Sequence, residues 1–206
     1  MATDLCTHPL IQHHLTILRD HTTDTRDFRL SCKAVTQVIV LEAAKQLKLD
    51  VIEVETPLET TVGACLSGGT VFVPILRAGL GMLEHSIDII PDSSVGFIGM
   101  ERNEATAKAN SYYAKMPKLY SSTQVFVLDP MLATGGSAAQ CVERIKAHGA
   151  KYITMLCIIA APEGLASFQS AHPDVTVIAG KIDRALNNQK YILPGLGDFG
   201  DRLYDT

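Results

Sequence analysis

The 206 residues, 47% hydrophobic and 19% charged, fit one compact globular domain around a sizeable core, spanning 1–206. A net charge of -4 argues against a general nucleic-acid binder, and no apolar run approaches the roughly 20 residues a membrane span needs. Cys6, Cys32, Cys65, Cys141 and Cys157 show no CxxC pair and no His/Cys metal spacing, so they read as reduced thiols of a cytoplasmic, unexported protein.

Residues 1 to 27 are polar, with one apolar set, Leu10, Ile11, Leu15, Ile17 and Leu18, able to lie against the body of the protein. His8, His13 and His14 stand nearby, but no carboxylate or fourth ligand is spaced to complete a metal site, and none is expected. Asp24 or Thr25 suits the N-cap of a helix running to about Leu47, with Phe28, Val35, Ile39, Leu41 and Ala44 near helical spacing. Val51 to Pro57 alternates like a half-exposed strand, and Leu58 to Gly69 reads as loops with a short helix or turn.

Val71 to Gly81, VFVPILRAGLG, is a buried strand that runs into a glycine-bearing loop. At the carboxyl end of a parallel strand, Arg77 can present a planar fork to a diphosphate, and Gly79 lets the backbone come close. The bland alternative is a surface arginine with turn glycines. Val95 to Met100 is a further short strand ending in Glu101 and Arg102, and the polar stretch from Asn103 to Pro117, with no clear period, reads on its own as a solvent-exposed hairpin.

The most informative stretch is Val125 to Ser137, VFVLDPMLATGGS. Val125 to Leu128 is a buried strand, ended by Asp129 and Pro130, and Thr134, Gly135, Gly136 and Ser137 turn directly into a helix. Glycine amides and two hydroxyls at a helix N-terminus suit a phosphate monoester. Asp129, a carboxylate, suits the hydroxyls of a sugar instead. An ordinary capped helix, with Thr134 or Ser137 as the cap, is the competing reading.

From Ser137 to His148 a helix turns Cys141, Val142 and Ile145 inward. Strands at Tyr152 to Ala161 and Val175 to Ala179 flank a helix at Glu163 to Ala171. This alternation predicts an α/β fold with an open parallel twisted sheet flanked by helices. In the tail, YILPGLGDFGD, the glycines at 195, 197 and 200 imitate a dinucleotide fingerprint, but too little chain remains for the helix and second strand that fingerprint needs. Main-chain groups of this loop can instead meet a small planar ring.

Three strings carry a resemblance. DPMLATGGS, PILRAGLGM and the opening HPLIQHHLTILRD are similar to those of the uracil phosphoribosyltransferases, and the likeness covers nearly the whole chain. It implies transfer of a phosphoribosyl group from 5-phosphoribosyl 1-diphosphate to uracil, with Mg²⁺ as cofactor. It also implies an N-terminal arm at about 1–24, a mobile hairpin, and a C-terminal uracil-binding hood at about 180–206. Arg77, Arg102 and Asp198 are then the expected catalytic residues. The sugar diphosphate is expected on Arg77, Arg102, Asp129, Pro130, Met131, Leu132, Ala133, Thr134, Gly135, Gly136, Ser137 and Asp198, and uracil on Ile192, Gly197, Asp198 and Phe199. Phe199 replaces a small residue common in the family, and its ring can stack near the base or point away. The resemblance further suggests a dimer or larger homo-oligomer and a GTP activator. A transferase for another base, or a UMP sensor that binds RNA through a basic face, are the rivals.

Overall fold

The first residues belong to the body of the protein. In the structure, a computed structural model that describes residues 2–102 and 109–206, β1 (Ala2–Asp4) forms one edge of the main sheet, and α1 (Pro9–Arg19) packs on α2 (Thr25–Ala44). Pro9 opens α1 where a missing N–H costs nothing. The helix buries Ile11, Leu15 and Leu18, one face at helical spacing, and leaves Leu10 exposed. Asp24 caps α2 by accepting the Asp27 amide at 2.8 Å. Phe28, Val35 and Ile39 are inside as expected, but the helix register buries Val40 and Ala43 and turns Leu41 outward.

An antiparallel hairpin follows, β2 (Leu49–Glu55) paired along its length with β3 (Thr60–Leu66). The second strand corrects the loop-and-turn expectation for Leu58 to Gly69. Gly63 reads as a breaker, yet it makes room: a Cβ there would lie 2.7 Å from a Val54 methyl on the facing strand.

The chain then enters the centre of the main sheet at β4 (Thr70–Pro74) and crosses through α3 (Leu80–Ile89) to the short edge strand β5 (Ser94–Val95). The single strand expected at Val95 to Met100 is broken at Gly96, and β6 (Phe97–Arg102) leaves the sheet to pair antiparallel with β7 (Ala109–Lys115). Residues 103–108 of the expected closing segment lie outside the described residues.

Strand and helix alternate thereafter: β8 (Gln124–Leu128), β9 (Met131–Leu132), α4 (Gly136–Ala147), β10 (Tyr152–Ala160), α5 (Pro162–Ala171) and β11 (Thr176–Ile182). The strand order is β1-β11-β10-β8-β4-β5, with β9 beside β10, and every pairing is parallel. This is the open parallel α/β sheet expected from the alternation.

Period-two alternation divides the core. Phe72, Phe126 and Leu128 join α1, α2 and α3 on one face, while Val73, Val125 and Val127 join α4 and α5 on the other. In the tail, β12 (Ala185–Leu186) pairs antiparallel with β13 (Ile192–Leu193), and α6 (Phe199–Tyr204) follows. A six-residue helix starts within the glycine pattern, capped by Asp198, and no strand follows it, so the dinucleotide arrangement is not formed.

The order of strands places the site. From β4 the chain moves outward to β5, whereas from β8 it moves the other way to β10. Since β4 and β8 are neighbours, the loops that leave them diverge and open a crevice at the carboxyl ends. Among the described residues no helix is long and apolar enough to cross a membrane.

Candidate active site

Two loops meet at this crevice. After β4, the Ile75 amide donates to the Leu128 carbonyl at 2.9 Å, and the Gly79 amide donates to the Ile75 carbonyl at 2.8 Å. A Cβ on Gly79 would strike the Leu128 carbonyl, so glycine is what allows the loop to lie against the end of β8. The peptide between Leu76 and Arg77 is cis.

After β8, Pro130 is buried and its carbonyl accepts the amides of Ile158 and Ile159 at 3.1 and 3.0 Å. It acts as a fixed bend. Gly135, with φ at 79°, is the N-cap of α4, and a Cβ on it would lie 2.6 Å from the Gly164 carbonyl oxygen of α5. No side chain caps the helix, so the competing use of Thr134 or Ser137 as a cap is not what this structure has. Among the described residues, none of the amides from Gly135 to Ala138 donates to a protein acceptor. The 12-residue α4 therefore points a set of unengaged N–H groups, flanked by the exposed Thr134 and Ser137, outward at its positive end.

These donors open into a cavity of about 400 Å³, within the size range of small-molecule sites. Residues 131–138 line one part of it, and residues 189–192 and 197–200 of the tail line another, with Ala78 and Asp129 completing the wall. The structure thus brings together Asp129, Met131, Leu132, Ala133, Thr134, Gly135, Gly136, Ser137, Ile192, Gly197, Asp198 and Phe199. It does not bring in Pro130. Nor does Arg77 line the cavity: it is exposed on the loop after β4, where its carbonyl accepts the Tyr204 hydroxyl at 3.3 Å. Arg102 ends β6, and its side chain lies outside the described residues.

The two carboxylates differ in setting. Burial pushes the Asp129 carboxyl up to about 7, against the pull of the Met131 amide at 3.4 Å. Asp198 is exposed, and one of its oxygens accepts the Asp201 amide at 3.0 Å as the cap of α6. Its other oxygen takes no hydrogen bond among the described residues.

The ring of Phe199 points into the core. It is 2% exposed and sits 5.3 Å, centroid to centroid, from Phe28 in the core, so Phe199 meets the cavity through its main chain. Gln189, Lys190 and Tyr191 also line the cavity and were not singled out from the sequence. Their signal was the asparagine in NNQKY: the Asn187 side chain accepts the amides of Gln189 and Tyr191, each at 2.9 Å, and folds a turn that carries Lys190 at a φ of 68°.

Residues 5–206 match the sequence model of a family described as uracil phosphoribosyltransferase. The chain belongs to the uracil phosphoribosyltransferase family. It is 48% identical over 202 residues to the uracil phosphoribosyltransferase of Campylobacter fetus, covering 98% of this chain and 97% of the relative. It is 46% identical over 200 residues to that of Fervidobacterium nodosum, covering 97% of each. A solved structure of an Aquifex aeolicus protein aligns with a TM-score of 0.93 at 40% identity, covering 99% of this chain and 98% of that one. A hypoxanthine-guanine phosphoribosyltransferase of Bacillus anthracis, at a TM-score of 0.54 and 12% identity over 77% of this chain and 80% of its own, shares the fold alone. Uracil phosphoribosyltransferases therefore supply the frame in which the crevice, the phosphate-suited loop and the tail loop are read.

Proposed function

We propose that the protein transfers the 5-phosphoribosyl group from 5-phosphoribosyl 1-diphosphate to N1 of uracil, giving UMP and diphosphate in pyrimidine salvage. The observation that carries this reading is the free amide cluster at the start of α4, facing the tail loop across one cavity. The sugar's phosphate sits on Thr134 to Ser137, and its diol on Asp129. The bond from the anomeric carbon to the diphosphate breaks as the bond to N1 forms, through a cation-like transition state. Arg77 and Arg102 hold the departing diphosphate. The N1 proton passes to Asp198, whose unbonded oxygen can take it, or to the diphosphate itself. Main-chain groups of Ile192, Gly197, Asp198 and Phe199 read the base, and cytosine is rejected because its amino group meets a donor where uracil has a carbonyl.

Mg²⁺ suits this chemistry because it is held through one or two carboxylates and substrate phosphates. Among the described residues no three His, Cys, Asp or Glu side chains cluster as a metal cage, whereas Asp129 and Asp198 both offer hard oxygens to the one cavity. Bound with the diphosphate, the ion would neutralise charge on the leaving group.

The assay that tests this reading follows UMP from uracil, cytosine and hypoxanthine in the parent, Arg77→Ala and Asp198→Asn proteins. Turnover with uracil alone, lowered in both variants by about a hundredfold, is expected; unchanged rates in both variants would show the loops to be wrongly assigned. GTP activation rests on the resemblance and a cytoplasmic site of action on the scattered, unpaired cysteines; added GTP should raise the rate of UMP formation.

A homo-oligomer is supported by the β2–β3 hairpin, whose Val51, Leu58 and Val62 are 79%, 95% and 76% exposed. A two-stranded ribbon carrying such side chains is marginal on its own, and a second copy would cover them. Sedimentation of Val51→Lys/Val62→Lys is expected to show a smaller species than the parent; a parent that sediments as a monomer contradicts the reading.

A further inference from the structure

The main chain just ahead of the cavity is gripped from two sides. Asp183, its side chain 1% exposed, meets Nη2 of Arg19 at 2.6 Å and Nη1 at 3.0 Å. The same carboxylate accepts the Gly195 amide at 3.1 Å, and Nη1 of Arg19 donates to the Gly195 carbonyl at 3.0 Å. One ion pair thus holds both main-chain groups of a single tail residue. Arg202 holds the next one: it donates to the Leu196 carbonyl at 2.7 Å, and to the carbonyls of Leu18 and Asp20 at the negative end of α1, with its guanidinium 4.5 Å from the Phe28 ring.

Taking a carboxylate and a guanidinium out of water costs nearly as much as their attraction returns, so a pair like this is a poor source of net stability. Its geometry is instead that of a register device. Gly195 and Leu196 lead directly into Gly197, Asp198 and Phe199, which border the cavity. A shift at Gly195 therefore displaces the main-chain groups offered to a base, while the amides at the start of α4 stay where Gly135 and Gly164 hold them.

We propose that the Arg19–Asp183 pair is a positioning element that sets the main chain of the Gly195–Phe199 loop, and so governs affinity for the base far more than for the sugar diphosphate, which apart from Asp198 is held outside this loop. This rests on the uracil phosphoribosyltransferase reading of the cavity. Lysine at position 19 keeps the charge but cannot span Asp183 and the Gly195 carbonyl together. Asparagine at 183 keeps an oxygen for the Gly195 amide but loses the charge, and alanine loses both.

The experiment measures KM for uracil and for 5-phosphoribosyl 1-diphosphate separately in Arg19→Lys, Asp183→Asn and Asp183→Ala, with thermal melts alongside. Uracil KM is expected to rise about tenfold in Arg19→Lys and about a hundredfold in Asp183→Ala, with Asp183→Asn between the parent and Asp183→Ala. KM for the sugar diphosphate should stay within about twofold of the parent's. If these variants fail to melt cooperatively, Arg202→Lys, which loosens Leu196, should give the same split. Equal rises in both KM values, or an unchanged uracil KM in every folded variant, overturn the positioning role while leaving the function intact. A parent that forms no UMP overturns the functional reading itself.

Discussion

Gly135→Ala is expected to raise KM for 5-phosphoribosyl 1-diphosphate by roughly a hundredfold while the fold persists. The residue has φ at 79°, and an alanine Cβ would lie 2.6 Å from the Gly164 carbonyl oxygen. Strain in the left-handed region costs only about 1 to 2 kcal/mol, which a core of this size absorbs. The loop relieves the clash by moving away from α5, and the amides from Gly135 to Ser137 then miss the phosphate. Gly164→Ala attacks the same packing from the other side, since its Cβ would strike the Ala133 carbonyl. Steady-state kinetics with circular dichroism as a fold check tests both. Normal KM values in both folded variants would mean that the loop is not the phosphate site.

Asp129→Asn should lower kcat/KM for the sugar diphosphate by about two to three orders of magnitude, because a charged acceptor for the ribose hydroxyls becomes a neutral amide. The pH profile gives a second handle. With its carboxyl pushed up to about 7 by burial, Asp129 is neutral below that pH and gains its charge above it. The parent's kcat/KM should therefore climb as pH rises through about 7, and the climb assigned to this group should be missing from Asp129→Asn. Stability moves the opposite way. In the unfolded chain the same carboxyl ionises in the ordinary carboxylate range, so between that range and about 7 the folded protein holds an extra proton. The contribution is fully present at the acid end and is lost as pH rises through about 7. Asp129→Asn should flatten that loss in melts taken across the window. A variant whose pH profiles of activity and stability both match the parent's contradicts the role.

Much of the site was legible in the sequence because its signals are local. Buried parallel strands announce themselves as unbroken apolar runs such as Val125 to Leu128, and the turn that follows needs its glycines where they stand. The parallel order followed from strand and helix alternating. Other features depend on partners distant in the chain. Asp183 and Arg19, separated by 164 positions, carry no local signal, and only the fold makes them a partly buried pair. Whether the Phe199 ring stacks near a base or points away was open in the sequence, and its packing on the distant Phe28 decides it. The β3 strand was hidden by Gly63, a residue that usually argues against a strand and here clears a Val54 methyl. The break at Gly96 was equally invisible, since a Cβ there would run into Met116, which comes from beyond the hairpin.

The most direct measurement is a crystal structure of the protein soaked with UMP. The phosphate oxygens are expected within about 3 Å of the amides from Gly135 to Ser137, with the uracil ring against Ile192 and Gly197. A phosphate seated elsewhere, with those amides still bare, would contradict the claim that the start of α4 anchors the sugar.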